Sequence, residues 1–119
     1  MKEVKVFDIA NKVMNIVTQK VPSRLVPFKG NFPLVQPWQK DEYDKAITSG
    51  KNLNEVPDWV QDILLKADNI RRIDEGFEEY LRTNGIFNEW FSYSSSDKAT
   101  ELYRFLNANC MTLEYLQIN

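Results

Sequence analysis

The sequence contains no histidine and only one cysteine, Cys110. Histidine is the commonest general base near neutral pH and the commonest zinc ligand, and a single cysteine cannot supply the missing ligands. Catalysis by serine with histidine, or by cysteine with histidine, is therefore excluded. The lone cysteine also cannot close an internal disulfide. Glycine is scarce, with four residues, and the serine run at 94–96 lacks the glycine and lysine at the spacing of a phosphate-binding loop. No apolar run approaches the roughly 18 to 20 residues needed to span a bilayer. No pattern of charged, apolar and small residues precedes the first amphipathic segment, so the expected location is cytoplasmic.

The chain does have the apolar content of a folded protein. Of its 119 residues 43% are hydrophobic and 13% aromatic, far from the depletion that keeps a chain disordered. That length supports one hydrophobic core and is short for two, so residues 1–119 are read as a single domain.

Apolar residues Val6, Ile9, Ala10, Val13, Ile16 and Val17 recur at three- and four-residue intervals, which predicts an amphipathic helix between Val4 and Gln19. Prolines 22, 27, 33 and 37 forbid a helix or a central strand over 21–38. Leu25, Val26, Phe28, Phe32, Leu34, Val35 and Trp38 make that segment too apolar for a solvated linker, so it is expected to wrap against the core. Its prolines never stand at Pro-x-x-Pro spacing, the arrangement a proline-recognising domain would bind.

Asp41 to Thr48 reads as a short helix with Tyr43, Ala46 and Ile47 inward and Gly50 ending it. Pro57 suits the first helical position. Behind it Val60, Ile63, Leu64 and Ala67, then Ile70, Ile73, Phe77, Tyr80 and Leu81, keep a helical period. They form either one long helix or two with a break near Asp68 and Asn69, poor interior residues. Ser95 or Ser96 can cap a last helix with Ala99, Leu102, Tyr103 and Leu106 on its apolar face. Asn107 to Cys110 reads as that helix's end, and Met111 to Ile118 fits neither the helical nor the strand period. The expected fold is all-α, a compact bundle of about five to six helices with an extended proline-rich segment near residues 21–38.

The stretch NGIFNEWFSYSSSD, Asn84 to Asp97, combines a turn signal with aromatics and serines. Asn-Gly tolerates positive backbone angles, so Gly85 is expected to end one helix and let the next begin. Phe87, Trp90 and Phe91 at helical spacing read as core. The sharper alternative is a surface that stacks on bases or anchors a protein. A base-stacking site also needs a basic groove, and residues 80–119 carry three basic and four acidic side chains.

The run NGIFNEWFSYSSSDKATELYRFLNANC, residues 84–110, resembles the signature of the DNA-mimic-protein domain family. That signature is an Asn-Gly-Gly-Phe turn followed by a polar pair, aromatics, an Asn-Ser-Ser turn and an amphipathic helix. Asn84, Gly85 and Phe87 occupy the motif positions, and Ile86 stands where the second glycine is expected. The resemblance implies an all-helical fold and a protein-binding role, the family's named member being an acidic mimic that occupies a DNA-binding protein.

Charge is distributed unevenly. Residues 1–30 carry six basic and two acidic side chains, whereas residues 54–79 carry three basic and eight acidic. Glu55, Asp58, Asp62, Asp68, Asp74, Glu75, Glu78 and Glu79 make up the acidic set. On helices most of them are expected opposite the apolar stripe, forming one negative face. Such a face either keeps the protein soluble or docks a basic partner.

These observations lead to the expectation of a small protein-binding inhibitor or immunity-type protein without enzymatic activity, metal or cofactor. It would neutralise a basic partner, a nuclease toxin or a DNA-binding protein, through Glu55, Asp58, Asp62, Asp74, Glu75, Glu78 and Glu79. A monomer is expected rather than a homodimer, with no membrane or nucleic-acid partner. The alternative is a nucleic-acid-binding or regulatory module using Lys2, Lys5, Lys12 and Lys20 of the basic N-terminal helix together with the aromatics. The enzyme-class alternative would hold magnesium or calcium with Glu75, Glu78 and Glu79.

Overall fold

The computed structural model describes residues 4–18, 25–26 and 34–109. Among the described residues the architecture is all-α, with five α-helices and two short 3-10 turns. The described residues fall into two compact units, one containing 4–18 and 34–71, the other 25–26 and 72–109.

In the first unit, α1 spans Val6–Thr18 and buries Val6, Ile9, Ala10, Val13, Ile16 and Val17, the stripe its period implies. No glycine or proline interrupts it. An isolated antiparallel bridge between Lys5 and Asn52 fixes its start, with Val6 N donating to Lys51 O at 3.1 Å and Leu53 N to Val4 O at 2.7 Å. Val35 N donates to Val17 O at 3.2 Å near its end. A 3-10 turn, Pro37–Gln39, leads into α2, Lys40–Ile47, which buries Tyr43 and Ala46. Gly50 then adopts φ 77°, a left-handed conformation that costs other residues energy. A second 3-10 turn, Leu53–Glu55, precedes α3.

Helix α3 is one continuous helix, Asp58–Thr83, without a break at Asp68 and Asn69. The physical reason is local: Arg71 Nε and Nη2 both donate to Asp68 Oδ1, at 3.0 and 2.8 Å. A carboxylate engaged one turn ahead no longer competes for the backbone, which is what makes aspartate a poor interior residue. Pro57 lies one residue before the helix rather than at its first position; its carbonyl accepts from Val60 N and Gln61 N. In the first unit α3 buries Val60, Ile63, Leu64, Ala67 and Ile70.

In the second unit the buried residues of α3 are Ile73, Phe77 and Leu81. Phe77 is the centre of an aromatic cluster: its ring centroid lies 4.8 Å from Trp90 and 5.4 Å from Phe105, both edge-on, and 5.8 Å from Tyr80. Edge-to-face pairs at such distances add about 0.5–1.5 kcal/mol beyond area burial. The helix ends in a Schellman motif. Ile86 N donates to Leu81 O and Gly85 N to Arg82 O, with Gly85 at φ 68°, so the Asn-Gly signal has the role its chemistry suggests.

Helix α4, Phe87–Trp90, is a single turn, and α5 spans Ser95–Ala108. The α5 cap is Ser94, one residue before the two serines expected to cap it; its hydroxyl accepts from Asp97 N at 3.1 Å. Helix α5 buries Leu102, Phe105 and Leu106 and leaves Tyr103 exposed. Two legal stripes share Leu102 and Leu106, and the larger apolar payload of Phe105 chooses between them. Trp38 also departs from its expected place against the core, being 79% exposed on the Pro37–Gln39 turn. Most of the proline-rich segment, and the undecided Met111 to Ile118, lie outside the described residues.

Candidate protein-docking surface

The acidic set divides between the two units. Glu55 ends the Leu53–Glu55 turn, where its Oε1 accepts from Asn52 N at 3.0 Å, a local capping contact. Asp58 occupies the first turn of α3, where a carboxylate interacts favourably with the positive end of the helix dipole. Asp62 pairs with Lys66 at 2.9 Å. All three are exposed, and each has a local structural use.

In the second unit, Glu75, Glu78 and Glu79 are exposed, while Asp74 is only half-exposed. Spacings of three and four residues put Glu75 beside Glu78 and Glu79, with β-carbons about 5–6 Å apart. Glu78 shares Arg82 at 3.6 Å. The structure thus gathers three exposed carboxylates over one turn of α3 and leaves Glu55, Asp58 and Asp62 as separate features. Among the described residues no group of three or more His, Cys, Asp and Glu is arranged to hold a metal ion, so the three glutamates do not converge on one point.

The aromatic stretch divides in the same way. Trp90 is 1% exposed and belongs to the core, whereas Phe91 is 48% exposed. Arg82 stacks over Phe87, its guanidinium carbon 3.9 Å from the ring centroid, and Phe87 meets Phe91 edge-on at 5.6 Å. Glu78, Arg82, Phe87 and Phe91 therefore form a linked surface chain next to the carboxylates.

One group absent from the sequence-based site is Glu101. Its Oε2 accepts from the Tyr80 hydroxyl at 2.8 Å and its Oε1 from Arg104 Nη1 at 2.9 Å, with the side chain 16% exposed. Burial raises the Tyr80 pKa; the hydrogen bond to Glu101 and that carboxylate's charge add to the rise, and Arg104 opposes it. Nothing local in the sequence connects residues 80 and 101, so only tertiary packing reveals the pair.

Of the four lysines of the alternative reading, Lys5 and Lys12 are described; Lys5 Nζ donates to Gly50 O at 3.4 Å. Lys2 and Lys20 lie outside the described residues. No helix is long and apolar enough to cross a membrane among the described residues. No known family, curated protein or solved structure matches the chain.

Proposed function

We propose that this protein binds a basic protein partner and blocks it, as a small inhibitor or immunity-type protein, with Glu75, Glu78 and Glu79 at the centre of the contact. The observation that carries the reading is the exposure of those three carboxylates on one stretch of α3, with exposed Phe91 linked to Glu78 through Arg82 and Phe87. Carboxylates of one sign speed and orient the approach of a cationic partner, and an aromatic supplies the anchor that charge alone does not. Glu55, Asp58 and Asp62 add to the field without forming part of that cluster. The resemblance of residues 84–110 to the DNA-mimic-protein domain family points the same way, toward partners that normally hold nucleic acid.

The test is capture from the source cell, or co-expression with the neighbouring gene, using the parent and a variant with Glu75, Glu78 and Glu79 changed to lysine. The parent is expected to retain a basic nuclease or DNA-binding protein that the variant loses. Retention of the same protein by both, or capture of only acidic proteins by the parent, rejects the reading.

A further inference from the structure

A groove of about 270 Å³ in the second unit is lined by Gly76, Glu79, Tyr80, Thr83, Asn84, Phe105 and Asn109. Its walls are the last two turns of α3 and the last turn of α5, so two helix C-terminal ends meet around it. Each such end carries roughly half a negative charge. Glu79 is exposed and has no ion-pair partner among the described residues.

The two asparagines sharpen the pattern. Asn84 Nδ2 donates to Tyr80 O at 2.8 Å and Asn109 Nδ2 to Phe105 O at 2.9 Å. A backbone carbonyl only accepts, so each amide must present its NH2 group to the helix, and the opposite edge of each carries the oxygen. Both caps therefore turn acceptors away from their helix ends. The groove brings together the Glu79 carboxylate, the two capping asparagines and two helix C-terminal ends, with Tyr80 and Phe105 among its lining residues. None of its lining side chains among the described residues is cationic.

We propose that this groove is a guanidinium site, which takes an arginine side chain of the basic partner. The arginine identity of the occupant rests on the proposed protein-binding function; the cation preference rests on the groove itself. Guanidinium fits better than ammonium because its several N–H donors spread in one plane toward separated acceptors, and because it stacks on aromatic rings. The same unit already shows this stacking in Arg82 over Phe87. The volume falls just short of the roughly 300–1,000 Å³ typical of small-molecule pockets, which suits one side chain rather than a cofactor.

The experiment is an amide chemical-shift titration of the whole chain with N-acetyl-arginine methylamide at constant ionic strength. N-acetyl-norleucine methylamide and spermidine serve as parallel probes. Saturable shifts are expected at Gly76, Asn84 and Asn109 with the arginine derivative alone, and Glu79→Gln should weaken its binding about tenfold, the loss of one charge-assisted contact. Glu79 is exposed, so this variant should keep the parent's fold and its spectrum away from the groove.

Absence of saturable shifts, equal binding by Glu79→Gln, or equal shifts from the norleucine probe overturns the site. Equal or tighter binding of spermidine overturns the arginine assignment in favour of a polyamine. Because these probes need no partner, the groove can fail while partner capture succeeds. The site also survives if capture fails while the arginine derivative binds.

Discussion

Gly76 stands inside α3, where glycine costs roughly 1 kcal/mol relative to alanine, so its presence requires a packing reason. A β-carbon there would lie 3.0 Å from Phe105 Cζ, and the Phe105 ring is buried between Phe77 and Tyr80. Overpacking of this kind typically costs about 1–3 kcal/mol, enough to exceed the gain in helix propensity. Gly76→Ala is therefore expected to lower the melting temperature. The same change in a Phe105→Leu background should raise it relative to Phe105→Leu alone. Thermal unfolding of the four proteins checks this, and additive effects would mean that the two residues do not press on one another.

Trp90 tests the same cluster from the other side: Trp90→Ala should destabilise by about 3–5 kcal/mol, the usual cost of emptying an aromatic site, in chemical denaturation. Phe91 illustrates what its sequence position alone did not reveal. Both rings have helical spacing to Phe87, but α4 is one turn long, too short to present a broad buried face, so Trp90 is taken into the core and Phe91 is left half in solvent.

At the scale of elements, helices were legible wherever a single apolar stripe met clear end chemistry. Helix α1 has such a stripe, and the end of α3 has Asn84-Gly85. Legibility failed where two stripes were equally periodic, as on α5, or where a side-chain contact decided continuity, as with Asp68 and Arg71. The Asn-Gly turn also gives the most local prediction. Gly85 adopts φ 68° with open space where a β-carbon would stand, so Gly85→Ala meets conformational strain without a clash. That strain is about 1–2 kcal/mol for a left-handed residue. Gly85→Asn should lose less, because asparagine tolerates this region through local hydrogen bonding. Equal losses in denaturant unfolding would show that the turn relaxes instead of holding its angle.

For the whole molecule, the fold class followed from periodicity, whereas the candidate site was only partly legible. The acidic composition of residues 54–79 was plain, but composition does not reveal that Asp62 and Asp68 are taken by Lys66 and Arg71 or that Asp74 is half-buried. Long-range pairs such as Tyr80 with Glu101 leave no local trace at all. That pair sets an alkaline response. Tyr80 is raised above its ordinary value of 10.0, so its folded state favours the protonated phenol. The stabilisation is full below pH about 10 and is lost as pH rises through the higher folded value. The stability difference between parent and Tyr80→Phe should accordingly shrink on the alkaline side, as followed by denaturant unfolding at a series of pH values. A difference that stays constant past pH 11 would mean that the hydroxyl contributes nothing proton-linked.

The charge of the second unit decides between a docking field and mere hydration. Changing Glu75, Glu78 and Glu79 to lysine replaces three negative charges with three positive ones at exposed sites, so the fold should be kept, as circular dichroism and melting would show. Asp74 is left intact in this variant because it is half-buried, and reversing it would mix a folding cost into the result. If the carboxylates steer a basic partner, the association rate of the parent should fall as salt shortens the Debye length from about 30 Å at 0.01 M to about 8 Å at 0.15 M. The variant should be slow at both and nearly insensitive to salt, or accelerate slightly as screening relieves repulsion. Dissociation should change less than association, because rim charges act mainly on encounter. Stopped-flow or surface-based kinetics of the captured partner measures both rates. Equal association rates for parent and variant at 0.01 M salt would reduce the three carboxylates, Glu79 of the groove included, to a hydrated helix face and transfer the binding energy to Phe91.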